Sequence, residues 1–124
     1  MMGNLRLVAL LLAQFGAAGS ALASAHTAQE CREGADFIFN AALSRNNGLT
    51  RELFLERLNA DLFVIRSMTA PLRWFARDRA DEALLVRHAE QVFDSPGLPR
   101  QHADAFLGEC RLRLREGGSD EDSF

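Results

Sequence analysis

Two cysteines, three histidines, one cluster of carboxylates and one run of arginines around a tryptophan are the side chains that could do chemistry here. Cys31 and Cys110 are the only thiols in 124 residues. A redox pair or a zinc site needs close spacing such as C-x-x-C. These two lie 79 positions apart, which favours a structural disulfide. His26, His88 and His102 include no pair one helical turn apart, so no metal site is expected and they read as surface or boundary residues. In a compartment open to outside pH, His88 and His102 could titrate between about pH 5 and 8.

Asp78, Asp81 and Glu82 are close enough in sequence to suggest an acid and base pair, as in glycoside hydrolysis. The same positions also suit the start of a helix, where carboxylates cap backbone N–H groups and meet the positive end of the dipole. Ser44, Ser67 and Ser95 sit in no G-x-S-x-G or S-x-x-K setting, and no glycine-rich phosphate loop occurs. No cofactor is expected. The stretch Arg66 to Arg79 gathers Arg66, Met68, Arg73, Trp74 and Arg77 around a helix break. Trp and Arg are enriched at binding hot spots and Met at adaptable ones, so these five form a candidate partner-binding surface. The competing reading makes Trp74 and Phe75 a cap on the core, with Arg73 and Arg77 paired to Asp78, Asp81 or Glu82.

The elements that must position these residues read as helices. Residues 1–25 have the order of a secretory signal: Arg6, the apolar run Leu7 to Ala13, then small residues ending in Ala21-Leu22-Ala23 and Ala23-Ser24-Ala25. Cleavage is expected after Ala23 or Ala25, leaving a domain over 26–116 and a disordered acidic tail over 117–124. All 14 basic residues are Arg, against 17 acids, so no basic domain exists to grip nucleic acid. No stable membrane insertion is expected once the signal is removed.

Thr27-Ala28-Gln29-Glu30 is a capping box opening a first helix, which Asn46, Asn47 and Gly48 stop. Thr50 caps a second helix, with Leu49 and Phe54 as its hydrophobic staple and Leu55, Leu58, Leu62 and Ile65 as its stripe. It should end near Met68, because Pro71 disfavours a helical residue before it. Asp78 caps a third helix with Ala80, Ala83, Leu84 and Ala89 facing inward. Pro99 starts a fourth, carrying Ala103, Phe106, Leu107 and Cys110 on one face, and Gly117-Gly118 should end it. No convincing run of strict alternation and no internal repeat is evident.

The expected fold is all-α: a small four-helix bundle, up-down-up-down, with an extra short helical turn near 71–77. A Cys31–Cys110 bridge would join its first and last helices, and that topology puts the two cysteines at one end. In size, signal and single disulfide the chain is similar to small exported helical proteins such as periplasmic acid-stress chaperones and secretion-system immunity proteins, with no shared motif. The expected function is a periplasmic or secreted, non-enzymatic module that binds a protein partner in the envelope, as inhibitor, immunity factor, chaperone or adaptor. The alternative is a small envelope enzyme using the carboxylates near Asp78 to Glu82.

Overall fold

The computed structural model describes residues 27–122, without the side chains of 70 and 117–122. The signal segment 1–25 and His26 lie outside the described residues. Four helices follow in order: α1 Ala28–Asn46, α2 Arg51–Arg66, α3 Arg79–Asp94 and α4 Pro99–Asp122. Among the described residues there is no strand.

Local chemistry sets the boundaries. Thr27 and Glu30 form the full capping box on α1: the Thr27 hydroxyl accepts from the Glu30 N–H at 3.1 Å, and Glu30 accepts from the Thr27 N–H at 3.1 Å. The end of α1 is a Schellman turn. Gly48 adopts φ 96°, its N–H donates to the Arg45 carbonyl, and the Leu49 N–H donates to the Ser44 carbonyl. Thr50 and Asp78 cap α2 and α3 through the N–H groups of Leu53 and Asp81.

The ends of the helices also report their directions. Arg51 at the start of α2 meets Glu90 and Asp94 at the end of α3, and Arg66 at the end of α2 meets Glu82 at the start of α3. These two helices are therefore antiparallel. Arg45, near the end of α1, donates to the carbonyls of Val92 (2.6 Å) and Gly97 (2.7 Å), where α3 finishes and α4 begins. Near the start of α1, Cys31 bonds to Cys110 of α4, with 5.7 Å between Cα atoms. The bundle is thus up-down-up-down, and its first and last helices are covalently joined. The α1–α4 packing is the most extensive, α1 also packs on α3, and α2 leans mainly on α3.

The core gathers Ile38, Ala41 and Ala42 of α1, Leu58 and Leu62 of α2, Leu84, Leu85, Ala89 and Val92 of α3, and Phe106 of α4. Phe75, from the α2–α3 connection, is fully buried with its ring centroid 5.2 Å from that of Phe106. At Gly34 the Phe106 ring of α4 packs directly on the backbone of α1. A Cβ there would stand 2.4 Å from Cε1 of Phe106, a ring already wedged between Phe75 and His88. Gly34→Ala should therefore lower stability by about 1–3 kcal/mol, overpacking outweighing the gain of about 1 kcal/mol in helix propensity. Urea titration of the variant measures this; a more stable variant would refute the close packing.

Two expectations need correcting. The buried face of α3 is Asp81, Leu84, Leu85, His88, Ala89 and Val92, while Ala80 and Ala83 are exposed. A buried Asp and a buried His displace two alanines because each has a place in the core that an alanine leaves empty. The extra short helical turn expected near 71–77 is the 3-10 turn Ala70–Leu72, which follows the end of α2 at Arg66. Trp74 then takes φ 54°, which breaks any helix. Finally, α4 continues through Gly117 and Gly118 to Asp122, where a stop was expected.

Candidate functional site

The connection between α2 and α3 and the ends of the helices it joins form the one region where the predicted surface residues and an open cleft coincide. The cleft measures about 720 Å³ and is lined by Arg66, Arg73, Asp78, Arg79 and Glu82. Four of its five groups have a definable task. Arg66 donates through Nε to Glu82 Oε1 at 2.7 Å. Arg73 spreads its guanidinium over three carbonyls: Nε to Met68 (2.8 Å), Nη2 to Arg66 (3.1 Å) and Nη1 to Arg77 (3.2 Å). It thereby satisfies the orphan carbonyls where α2 ends and ties them to the loop. Asp78 caps α3. Arg79 is in no ion pair among the described residues, so the cleft presents one uncommitted guanidinium.

Trp74 and Arg77 turn away from the cleft. The indole is half-buried, edge-on to Phe37 at 5.8 Å and to Phe75 at 6.3 Å. A bulky residue at positive φ costs of order 1 kcal/mol, and these ring contacts offset it. Arg77 reaches the start of α1 instead of Asp78, Asp81 or Glu82. Its Nη2 donates to both carboxylate oxygens of Glu30, each at 2.8 Å. Glu30 therefore has two roles, closing the capping box and anchoring the loop. Met68 remains partly exposed at the end of α2, near exposed Phe63, Val64 and Leu72.

The carboxylates are likewise engaged. Asp81 is 1% exposed and lies under the loop, not in the cleft. Its Oδ2 accepts the Arg77 N–H at 3.1 Å and its Oδ1 accepts from Arg113 Nη2 of α4 at 2.9 Å. One carboxylate thus joins the loop, α3 and α4, while the Arg77 side chain adds α1. Sequence reasoning offered Asp81 as a first-turn acid, as half of an acid and base pair or as a partner of Arg73 or Arg77, and did not foresee Arg113. The missed signal lies in Arg113, an arginine on α4 three residues past Cys110, and no spacing rule reports a meeting between residues 32 positions apart.

His88, read from the sequence as a surface or boundary residue, is 3% exposed, edge-on to Phe106. Its Nε2 lies 3.4 Å from Glu109 Oε1 without hydrogen-bond alignment, and Glu109 also pairs with Arg87. His102 Nε2 is buried without a partner as well. Burial pushes both imidazoles below their ordinary 6.5; Glu109 partly opposes this at His88, and Arg45 reinforces it at His102. The unfolded chain then binds protons that the native state refuses, so stability falls as pH drops below about 6.5. One such histidine sets a slope of at most about 1.4 kcal/mol per pH unit. Urea midpoints measured between about pH 7.5 and 5.5 should fall for the native sequence and fall less for His88→Gln; equal slopes would exclude His88 as the cause.

No group of His, Cys, Asp and Glu among the described residues is placed to hold a metal ion. No described helix is long and apolar enough to cross a membrane. In comparisons with known proteins, no family model, no curated protein and no solved structure matches this chain.

Proposed function

We propose that this is an exported, non-enzymatic helical module that binds a protein partner of the periplasm or extracellular space at the end of α2 and the turn after it. The observation that carries the reading is the exposure there of large apolar side chains, Phe63 at 73% and Leu72 at 68%, with Val64 and Met68 beside them. Scattered apolar residues are ordinary on a surface, but several on one helix end with arginines alongside resemble a binding patch. Arg66, three residues after Phe63 on α2, and Arg79 line the cleft at the same corner. Within the predicted set, Met68 and Arg66 belong to the contact surface, whereas Arg73, Trp74 and Arg77 shape it from beneath.

The disulfide supports export, since such bonds persist in oxidising compartments. The engagement of Asp78, Asp81 and Glu82 with backbone or arginine supports a binding role over acid and base catalysis. The test is capture of partners from the native envelope by the oxidised protein and by Phe63→Glu and Leu72→Glu. Both side chains are exposed, so unfolding midpoints should stay within about 0.5 kcal/mol. Loss of a captured protein in both variants supports the site; undiminished capture would place binding elsewhere.

A further inference from the structure

A second groove, of about 460 Å³, runs between α1 and α4 and is independent of the α2–α3 corner. Ala35, Phe39, Ala103 and Leu107 form its apolar floor. Exposed Arg32, Asp36, Arg100 and Asp104 line its rim. None of these four charges is in an ion pair among the described residues; Arg32 donates only to Gln29 Oε1 at 2.7 Å.

The lining is built from a short repeat that the helix register exposes. Arg32-Glu33-Gly34-Ala35-Asp36-Phe37-Ile38-Phe39 and Arg100-Gln101-His102-Ala103-Asp104-Ala105-Phe106-Leu107 share the pattern Arg-x-x-Ala-Asp-x-apolar-apolar. The helices are antiparallel, with Cys31 bonded to Cys110 and Gly34 against Phe106. Arg32 therefore falls toward the Leu107 end and Arg100 toward the Phe39 end. The two copies of the pattern are related by an approximate two-fold axis standing upright in the groove.

Charge consequently alternates around the rim in the order Arg32, Asp36, Arg100, Asp104. An alternating ring is self-complementary: a two-fold axis lying in the plane of the face can turn a second copy so that its arginines rest over these aspartates, and the reverse. Ala35 and Ala103 at the centre allow close approach, while Phe39 and Leu107, both half-buried, supply apolar area. A basic or an acidic partner would meet repulsion from half of the ring. From this we infer that the α1–α4 groove is an isologous interface whose occupant is a second copy of this chain. A two-helix face is small beside the roughly 800 Å² per partner of a standard interface, so the dimer is weak and salt-sensitive.

Charge exchange tests it. Asp36→Arg with Asp104→Arg makes the rim wholly positive, and Arg32→Asp with Arg100→Asp makes it wholly negative. All four side chains are exposed, and unchanged circular dichroism spectra verify that both variants fold. In sedimentation equilibrium at low salt, the native chain should dimerise reversibly, each variant alone should associate at least tenfold more weakly, and their equimolar mixture should recover dimer. A native chain that stays monomeric up to its solubility limit overturns the inference, as does a variant that dimerises like the native chain or a mixture that recovers nothing.

Discussion

Reduction of the Cys31–Cys110 bond should remove about 4.5 kcal/mol of stability, the loop-closure value for a ring of about 80 residues. Both sulfurs are buried, and the bond clamps the most extensive helix contact in the bundle. Domains of this size have about 5–15 kcal/mol in total, so the reduced protein retains a small margin or none. In thermal unfolding the oxidised chain should melt about 20 °C or more above the reduced one. Cys31→Ala with Cys110→Ala should behave like the reduced chain, lowered slightly further by the lost sulfur volume. Equal urea midpoints with and without reductant would show that helix packing alone holds α1 to α4.

The second large effect belongs to Asp81. Replacing it by Ala strands the Arg77 N–H beneath the loop and frees Arg113. Breaking a buried pair costs about 3–5 kcal/mol; Arg113 is about one-third exposed and regains water, so about 3 kcal/mol is expected. Asp81→Asn should recover part of the loss, because its carbonyl still accepts from Arg77. Arg113→Ala should cost less, since Asp81 keeps its backbone donor. The double variant Asp81→Ala with Arg113→Ala should cost less than the sum of the two, the mark of a direct coupling. Strict additivity in denaturant titrations would mean the contact carries no energy of its own.

These two cases mark what was legible in the chain. Thr27, Thr50 and Asp78 announce their helices because a cap is a bond between residues three apart, and nothing distant can relocate it. The cysteine pairing was legible because only one pairing exists. The inward face of α3 was not. Hydrophobic periodicity counts apolar side chains, so it ranks Ala80 and Ala83 above Asp81 and His88; it cannot register distant partners such as Arg113, the loop N–H and Phe106, which receive a buried Asp and His. The candidate corner was legible as a concentration of Arg, Met and Trp. Its internal division was hidden, because whether an arginine faces solvent or a carbonyl depends on where the chain returns. Arg73 ends on three carbonyls and Arg77 on Glu30, an acid 47 positions away. The repeated pattern in α1 and α4 is equally silent until the two helices lie side by side.

Helical bundles usually fold fast because their contacts are local in sequence. Here the dominant contact joins the first helix to the last, so the chain must close nearly its whole length before its core exists. Closing that long loop costs chain entropy before the core contacts form, and it depends on α4 being available to α1. Once the bond has formed, every later unfolding leaves those two helices tethered. Refolding then begins from a ring whose longest-range encounter is already made, and what remains is for α1 and α4 to pack outward from that link and for α2 and α3 to dock on them.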